Sequence, residues 1–313
     1  IRRAFISFKM KGKSIAMLQL VMAGLSIAEN LGSSKLLNNY PMIMAHDAAS
    51  GEIDPDRDHV LMDWTRTQST GMVGQLDCGA RSFDYRPYLE GDILFAHHGP
   101  VVVHKMMRST VEEIKDWCGQ NPDELVVLYV TSCDGDDGCL DRSKELLADE
   151  DVYTVTDCND LNTLTYSQAQ ENGKLKEGGS LISVVGCTTE NYDSTLNCYG
   201  KSFVCYDSWP EGTTDQAWDP FKSYMTTTTS SDPTTTSPNL WMAQAHWQSD
   251  AWSVSSGTLH NSTLLLDESR SGMNLWVEQT IQSGAWKYMN LLELDNVCDN
   301  GLNVMNALEK QYL

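Results

Sequence analysis

Short apolar runs with the character of buried strands alternate with helical patterns along most of this chain, and that alternation leaves few architectures open. The runs lie at Met42 to Ala45, Arg81 to Tyr85, Ile93 to Ala96, Leu125 to Thr131, Leu181 to Val185, Phe203 to Tyr206, Leu240 to Ala243 and Met289 to Leu294. Helical periodicity fills 110–119, 141–149 and 272–284, and Leu302 to Leu313 reads as a closing helix. Ser109 with Glu112 resembles a capping box, and Asn121-Pro122 is a stop signal. Strands separated by helices pair in parallel through crossovers rather than as hairpins. The fold class expected is therefore α/β: a single (β/α)8 barrel of the TIM type, distorted or partly open. The Thr- and Ser-rich stretch Thr226 to Pro238 has too little apolar surface to bury and reads as a mobile rim loop. The same rhythm continues on both sides of it, so 36–313 is read as one domain after an N-terminal segment, 1–35.

Charge and cysteine usage limit the partners. Acidic residues outnumber basic ones by 43 to 22, for a net charge of −21. Such a chain repels phosphate backbones and anionic bilayers at long range, which excludes a nucleic-acid partner and requires a local cationic pocket for any anionic substrate. The nine cysteines include no CxxC pair, so disulfides are favoured over a zinc or redox site. Cys133 and Cys139 bracket Asp134-Gly-Asp-Asp-Gly138 and can close a small loop; Cys187, Cys198 and Cys205 offer a second bridge. Free buried cysteines in a reducing compartment are the alternative. Arg2, Arg3, Lys9, Lys11 and Lys13 precede the apolar run Ile15 to Ile27, and Ser26-Ile-Ala28 resembles a cleavage site. This reads as a signal peptide of a secreted or extracellular protein, with a retained amphipathic helix or anchor as the other reading. A monomer is expected.

Three groups of residues carry chemistry, and each falls at the end of an expected strand, where a (β/α) barrel builds its active site. They are His46-Asp47, Asp84-Tyr-Arg86 and His97-His98-Gly-Pro100. Residues i and i+2 of a strand share a face, so Asp84 and Arg86 should point together into the barrel mouth. Arg offers a planar fork of donors suited to phosphoryl oxygens; alone, an Asp-x-Arg is equally a structural ion pair. Histidine can give or take a proton near neutrality. His46 and His98 around one arginine supply a base, an acid and an electrophilic clamp.

Met42-Ile-Met-Ala-His-Asp47, Gly79-Ala-Arg-Ser-Phe-Asp-Tyr-Arg86, His97-His-Gly-Pro100 and Asn121-Pro-Asp-Glu-Leu-Val-Val127 together resemble the motifs of the phosphatidylinositol-specific phospholipase C catalytic domain. The likeness is to its bacterial, metal-independent branch, and it lies within 42–131. It implies that His46 is the general base, His98 the general acid and Arg86 the group that stabilises charge on the phosphate. It implies further that Asp84 couples to His98, that Asp47 supports the site from behind, and that Asp295 orients His46. Asp207 and Trp209 would hold the headgroup ring. No cofactor and no metal are implied. The expected partner is a phospholipid or glycosyl-phosphatidylinositol-type substrate met in transient contact with a membrane surface. Leu181-Ile-Ser-Val-Val-Gly-Cys187 lacks the cationic headgroup ligand of the family, and Thr131-Ser132 stand where bacterial members carry a lysine.

Two other classes fit the same residues. One is a metal-dependent phosphodiesterase with Asp47, Asp84 and Asp207 around a divalent cation, against which Arg86 argues by repulsion. The other is a non-catalytic secreted module gripping a glycan or lipid headgroup with Trp209, Trp241, Trp247 and Trp252 on the rim.

Overall fold

The computed structural model describes residues 33–53, 62–190, 215–235, 237–248, 251–259 and 261–313. Its strands are β1 (Met42–Ala45), β2 (Ser82–Tyr85), β3 (Pro87–Glu90), β4 (Ile93–His98), β5 (Val101–Val103), β6 (Leu125–Val130), β7 (Asp134–Gly135), β8 (Tyr153–Val155), β9 (Ser180–Val185), β10 (Thr188–Glu190), β11 (Leu240–Gln244) and β12 (Leu291–Leu294). A parallel sheet runs in the order β10-β11-β12-β1-β2-β6-β9-β8. Only Gly186 and Cys187 separate β9 from β10, yet β9 pairs with β6 and β10 with β11. Three peptide steps reach about 11 Å at most, so the sheet has to curl until those distant strands lie close. The result is an α/β fold with a distorted, partly open barrel.

Alternation along the strands divides the interior from the outer layer. Met42 and Met44, Leu125, Val127 and Tyr129, Ile182 and Val184, Leu240 and Met242, and Leu291 form one cluster on the inner face. Ile43, Phe83, Val126, Leu128, Trp241 and Leu292 face the other way and pack with the helices. The helix Met107–Gln120 shows why: Met107, Thr110, Val111, Ile114, Trp117 and Cys118 are its buried residues, at the spacing of one helical stripe. Its N-cap is Met106, so Ser109 lies inside the helix and the expected capping box does not form. The helices Cys139–Asp149, Met273–Gln282 and Gly301–Tyr312 match the remaining expectations within two residues.

Several expectations are corrected. The run at Ile93 to Ala96 is not a barrel strand: β4 belongs to a second sheet, β5-β4-β3-β7, and pairs antiparallel with β3 and β5. The stretch Thr226 to Pro238 is not a rim loop. Its start completes the helix Asp215–Thr228, and it then follows the approach to β11, at the end of the sheet opposite the strand C-termini. There Asn38 Nδ2 donates to the Pro238 carbonyl at 2.8 Å and Asn39 Nδ2 to Thr234 Oγ1 at 3.2 Å. Trp241 and Trp247 are core residues at 1% and 4% exposure, and Trp247 stacks edgewise on Trp218, so neither can grip a ligand from the rim. Trp209, Asp207, the run Phe203 to Tyr206, residues 1–32, and the Trp252 side chain lie outside what is described. Disulfides join Cys133 to Cys139, as expected, and also Cys78 to Cys298 and Cys158 to Cys187. Cys187 thus pairs backwards along the chain rather than with Cys198 or Cys205.

Candidate active site

At the C-terminal ends of the curled sheet, the inner face changes from apolar to charged. The alternation that points Met42 and Met44 inward carries on to His46, that of Leu291 to Glu293 and Asp295, and that of Leu240 and Met242 to Gln244 and His246. Ser82 and Asp84 follow the same rule on β2. Asp47 breaks it. Its backbone is left-handed, at φ 42° and ψ 48°, which a short polar side chain tolerates, and this turns the carboxylate back into the site beside His46. Its N–H donates to Asp84 Oδ2 at 3.1 Å.

His98 arrives from the second sheet. The extended chain that forms β2 changes sheets at Arg86 and continues as β3. The Arg86 carbonyl accepts from the His97 N–H at 2.9 Å, and Pro87 pairs with Ala96. That register sets His98 beside Arg86 before the chain turns through Gly99, at φ 52°, into β5. His98 Nδ1 donates to the Thr65 carbonyl at 2.6 Å, leaving Nε2 directed into the site.

The charged groups converge on one carboxylate. Asp47 Oδ2 lies 3.2 Å from His46 Nε2 and 3.1 Å from His98 Nε2, while Asp47 Oδ1 lies 2.8 Å from Arg86 Nη1. Arg86 Nη2 reaches Asp84 Oδ2 at 2.6 Å. Asp84 and Arg86 do share a face, as their spacing predicts. The carboxylate that touches His98 is Asp47, however, and Asp84 is taken up by Arg86. On the far edge of His46, Nδ1 donates to Asp295 Oδ1 at 2.7 Å. The Gln68 side chain locks this edge in place: Nε2 donates to the carbonyls of His46 (3.1 Å) and Leu294 (2.9 Å), and Oε1 accepts from the Val297 N–H (3.0 Å).

These contacts shift the ionisations. Burial works against a charge on His46, but Asp47, Asp295 and Glu293 outweigh it and hold its pKa up to about 10. Burial opposes the charge of Asp47 too; His98, Arg86 and His46 overcome it and keep the carboxyl below its usual value. For Asp84 burial prevails, and its carboxyl is pushed up despite Arg86. Glu268, buried in the helix Leu264–Ser271, is likewise raised, by burial first and then by Asp295.

His46, Asp47, Asp84, Arg86, His98 and Asp295 are therefore brought together. Sequence reasoning missed His246, Glu293 and Glu268. The first two stand at the ends of β11 and β12, and extending to those strands the strand-end rule that located His46 would have found them. His46 with His246 and Glu293, and His46 with Asp47 and Asp84, each bring donor atoms within 4.8 Å of one another. In the second group Arg86 already pairs with both carboxylates, at 2.8 Å from Asp47 and 2.6 Å from Asp84.

No protein-family model matches the chain. It is 25% identical over 148 residues to a 1-phosphatidylinositol phosphodiesterase of Staphylococcus aureus (strain Newman), a match that covers 47% of this chain and 46% of that protein. The chain thus spans about half the length of the curated relatives it matches. In fold it is similar to a phosphatidylinositol-specific phospholipase C from Staphylococcus aureus, with a TM-score of 0.60 at 16% identity, over 90% of this chain and 95% of the other. The enzyme of the same name from Listeria monocytogenes gives 0.58 at 15% identity, over 89% and 95%. The chain has the fold of these phospholipases C.

Proposed function

We propose that this chain is a phospholipase C-like phosphodiesterase that cleaves phosphatidylinositol, or a glycolipid built on it, by histidine acid–base catalysis through a cyclic phosphate. The observation that carries the reading is the convergence of His46 Nε2 and His98 Nε2 on one Asp47 oxygen, at 3.2 and 3.1 Å, with Arg86 2.8 Å from the other. Two proton-transfer groups and a guanidinium that meet around one anion are arranged to meet a phosphate. The likeness to phospholipases C agrees with this chemistry.

In the proposed reaction His46 removes the proton from the inositol 2-hydroxyl, whose oxygen attacks the phosphorus of the same molecule. The bond to the lipid oxygen breaks, and His98 gives that oxygen a proton. The products are a cyclic inositol phosphate and the lipid alcohol. Nucleophile and phosphate share one molecule, so proximity supplies much of the acceleration. Arg86 faces the charge that develops on the phosphoryl oxygens, Asp47 supports protonated His98, and Asp295 fixes the ring of His46. Asp207 and Trp209 are proposed to hold the headgroup.

The retained proton on His46 favours a second assignment in which the two histidines exchange roles. A substrate whose leaving group needs no acid, such as a p-nitrophenyl phosphodiester of inositol, separates them. Restored turnover in His98→Ala fits the first assignment, whereas restored turnover in His46→Ala fits the exchange. The metal-dependent alternative is disfavoured by Arg86, which stands between Asp47 and Asp84. The function itself is tested by incubating the protein with phosphatidylinositol, a glycosyl-phosphatidylinositol anchor and phosphatidylcholine in excess chelator. Cleavage of the inositol lipids alone is expected; no cleavage of any of them would refute the reading. The disulfides agree with a secreted protein that meets its lipid at a membrane surface.

A further inference from the structure

The bonds around His46 secure the edge of its ring. Asp295 holds Nδ1 and Asp47 faces Nε2, but neither contact fixes the tilt of the ring plane. One face of the ring is covered by His246, with centroids 3.9 Å apart and planes inclined by only 17°. His246 follows β11 on the inner face and is 2% exposed. Its Nε2 lies 3.2 Å from Glu293 Oε2, and Gln248 Nε2 donates to its Nδ1 at 3.3 Å. Glu293 is itself 1% exposed and stands two residues before Asp295, so one strand supplies the anchors of both stacked rings.

We propose that His246, tethered by Glu293, is a positioning residue for His46, fixing the plane of its ring and giving Glu293 a hydrogen-bond donor beside it. The proposal rests on the reading of His46 as a proton-transfer group. An apolar aromatic residue could supply the same wall. Histidine adds a nitrogen that engages Glu293, which would otherwise be a buried carboxylate facing His46 without a partner on that side. Burial works against the charge of Glu293, and His46 and then His246 overcome it, holding its pKa at about 2. Glu293 in turn is one of the carboxylates that keep the proton on His46.

Among the described residues, the groups facing His46 come from several neighbouring elements. They are Asp47 after β1, Asp84 and Arg86 at the end of β2, His98 on β4, His246 after β11, Glu293 and Asp295 at the end of β12, and Glu268 on the helix Leu264–Ser271. His246 is the group among them that touches the face of the ring while engaging one of its carboxylates.

The test is a pH titration of His46 by NMR in the full chain labelled with 15N-histidine, its signals identified by their loss in His46→Gln. Glu293→Gln keeps the hydrogen-bonding shape and removes one negative charge, so the midpoint of His46 should fall by about 1–2 pH units. His246→Phe keeps the wall and loses the tether, so the midpoint should rise by a similar amount. Where His246→Phe fails to fold, His246→Leu, which also removes the donor to Glu293, is titrated in its place, with the same rise expected. Midpoints within about 0.3 units of the wild type in the folded variants would overturn the proposal and leave His246 as packing. The readout needs no turnover. A protein that cleaves no phosphodiester would sink the proposed function without touching this result, while an active enzyme with unmoved midpoints would sink only the role of His246.

Discussion

Replacing Asp47 with asparagine removes a carboxylate shared by His46, His98 and Arg86, and it does so at a residue only 3% exposed. Three positive or protonatable groups then face one another across a neutral amide. Removing one partner from a buried ion-pair network costs about 3–5 kcal/mol; the amide oxygen can still accept one bond, so about 3 kcal/mol is expected. His46 should respond as well. Asp47 is the strongest of the charges that hold its pKa at about 10 against burial, and losing a carboxylate at this range lowers a histidine by about 1–3 units. Turnover should fall by about 10²–10⁴, the span associated with one acid–base group, because both histidines lose the carboxylate that their Nε2 atoms face. Thermal unfolding and a pH–rate profile on phosphatidylinositol vesicles check both parts. A variant that unfolds at the wild-type temperature, with activity within about threefold of wild type, would refute the idea that Asp47 organises the site.

Other outcomes follow from the same contacts. Arg86→Lys places one point charge where a fork spans Asp47 at 2.8 Å and Asp84 at 2.6 Å; kcat should drop about 100-fold with little change in folding, as steady-state kinetics and circular dichroism would report. Gln68→Leu deletes both donor bonds to the carbonyls of His46 and Leu294 and strands the Val297 N–H, so chemical denaturation should show a loss of about 3 kcal/mol. Stability should also depend on pH through His46. Its pKa rises from 6.5 unfolded to about 10 folded, so its contribution is complete below about 6.5 and is lost as pH climbs through about 10. Urea midpoints for wild type should fall over that window, by at most about 1.4 kcal/mol per pH unit from this group, and His46→Gln should flatten the decline.

Much of this site could be read from the sequence because it is local. A strand end fixes where His46 points, and the two-residue period puts Asp84 and Arg86 together, as their ion pair bears out. What escaped depends on chain reversals and distant pairings. The run at Ile93 is a short apolar stretch whose buried and exposed positions suit either sheet, and only the turn at Gly91 and the pairing of Pro87 with Ala96 make it a hairpin. The partner of His98 could not be foreseen from strand alternation, because Asp47 enters the site through a left-handed backbone that breaks the period. His246 and Glu293 are lone residues 47 positions apart, brought together by the pairing of β11 with β12.

His46 and His98 are proposed to carry out proton transfer at one phosphodiester. This role is tested most directly by 31P NMR of phosphatidylinositol incubated in excess chelator with the wild-type protein, His46→Ala and His98→Ala, each verified as folded. A cyclic phosphate signal should grow with the wild type and be reduced by at least about 100-fold in each variant. Near-normal production of that signal by either folded variant would contradict this role.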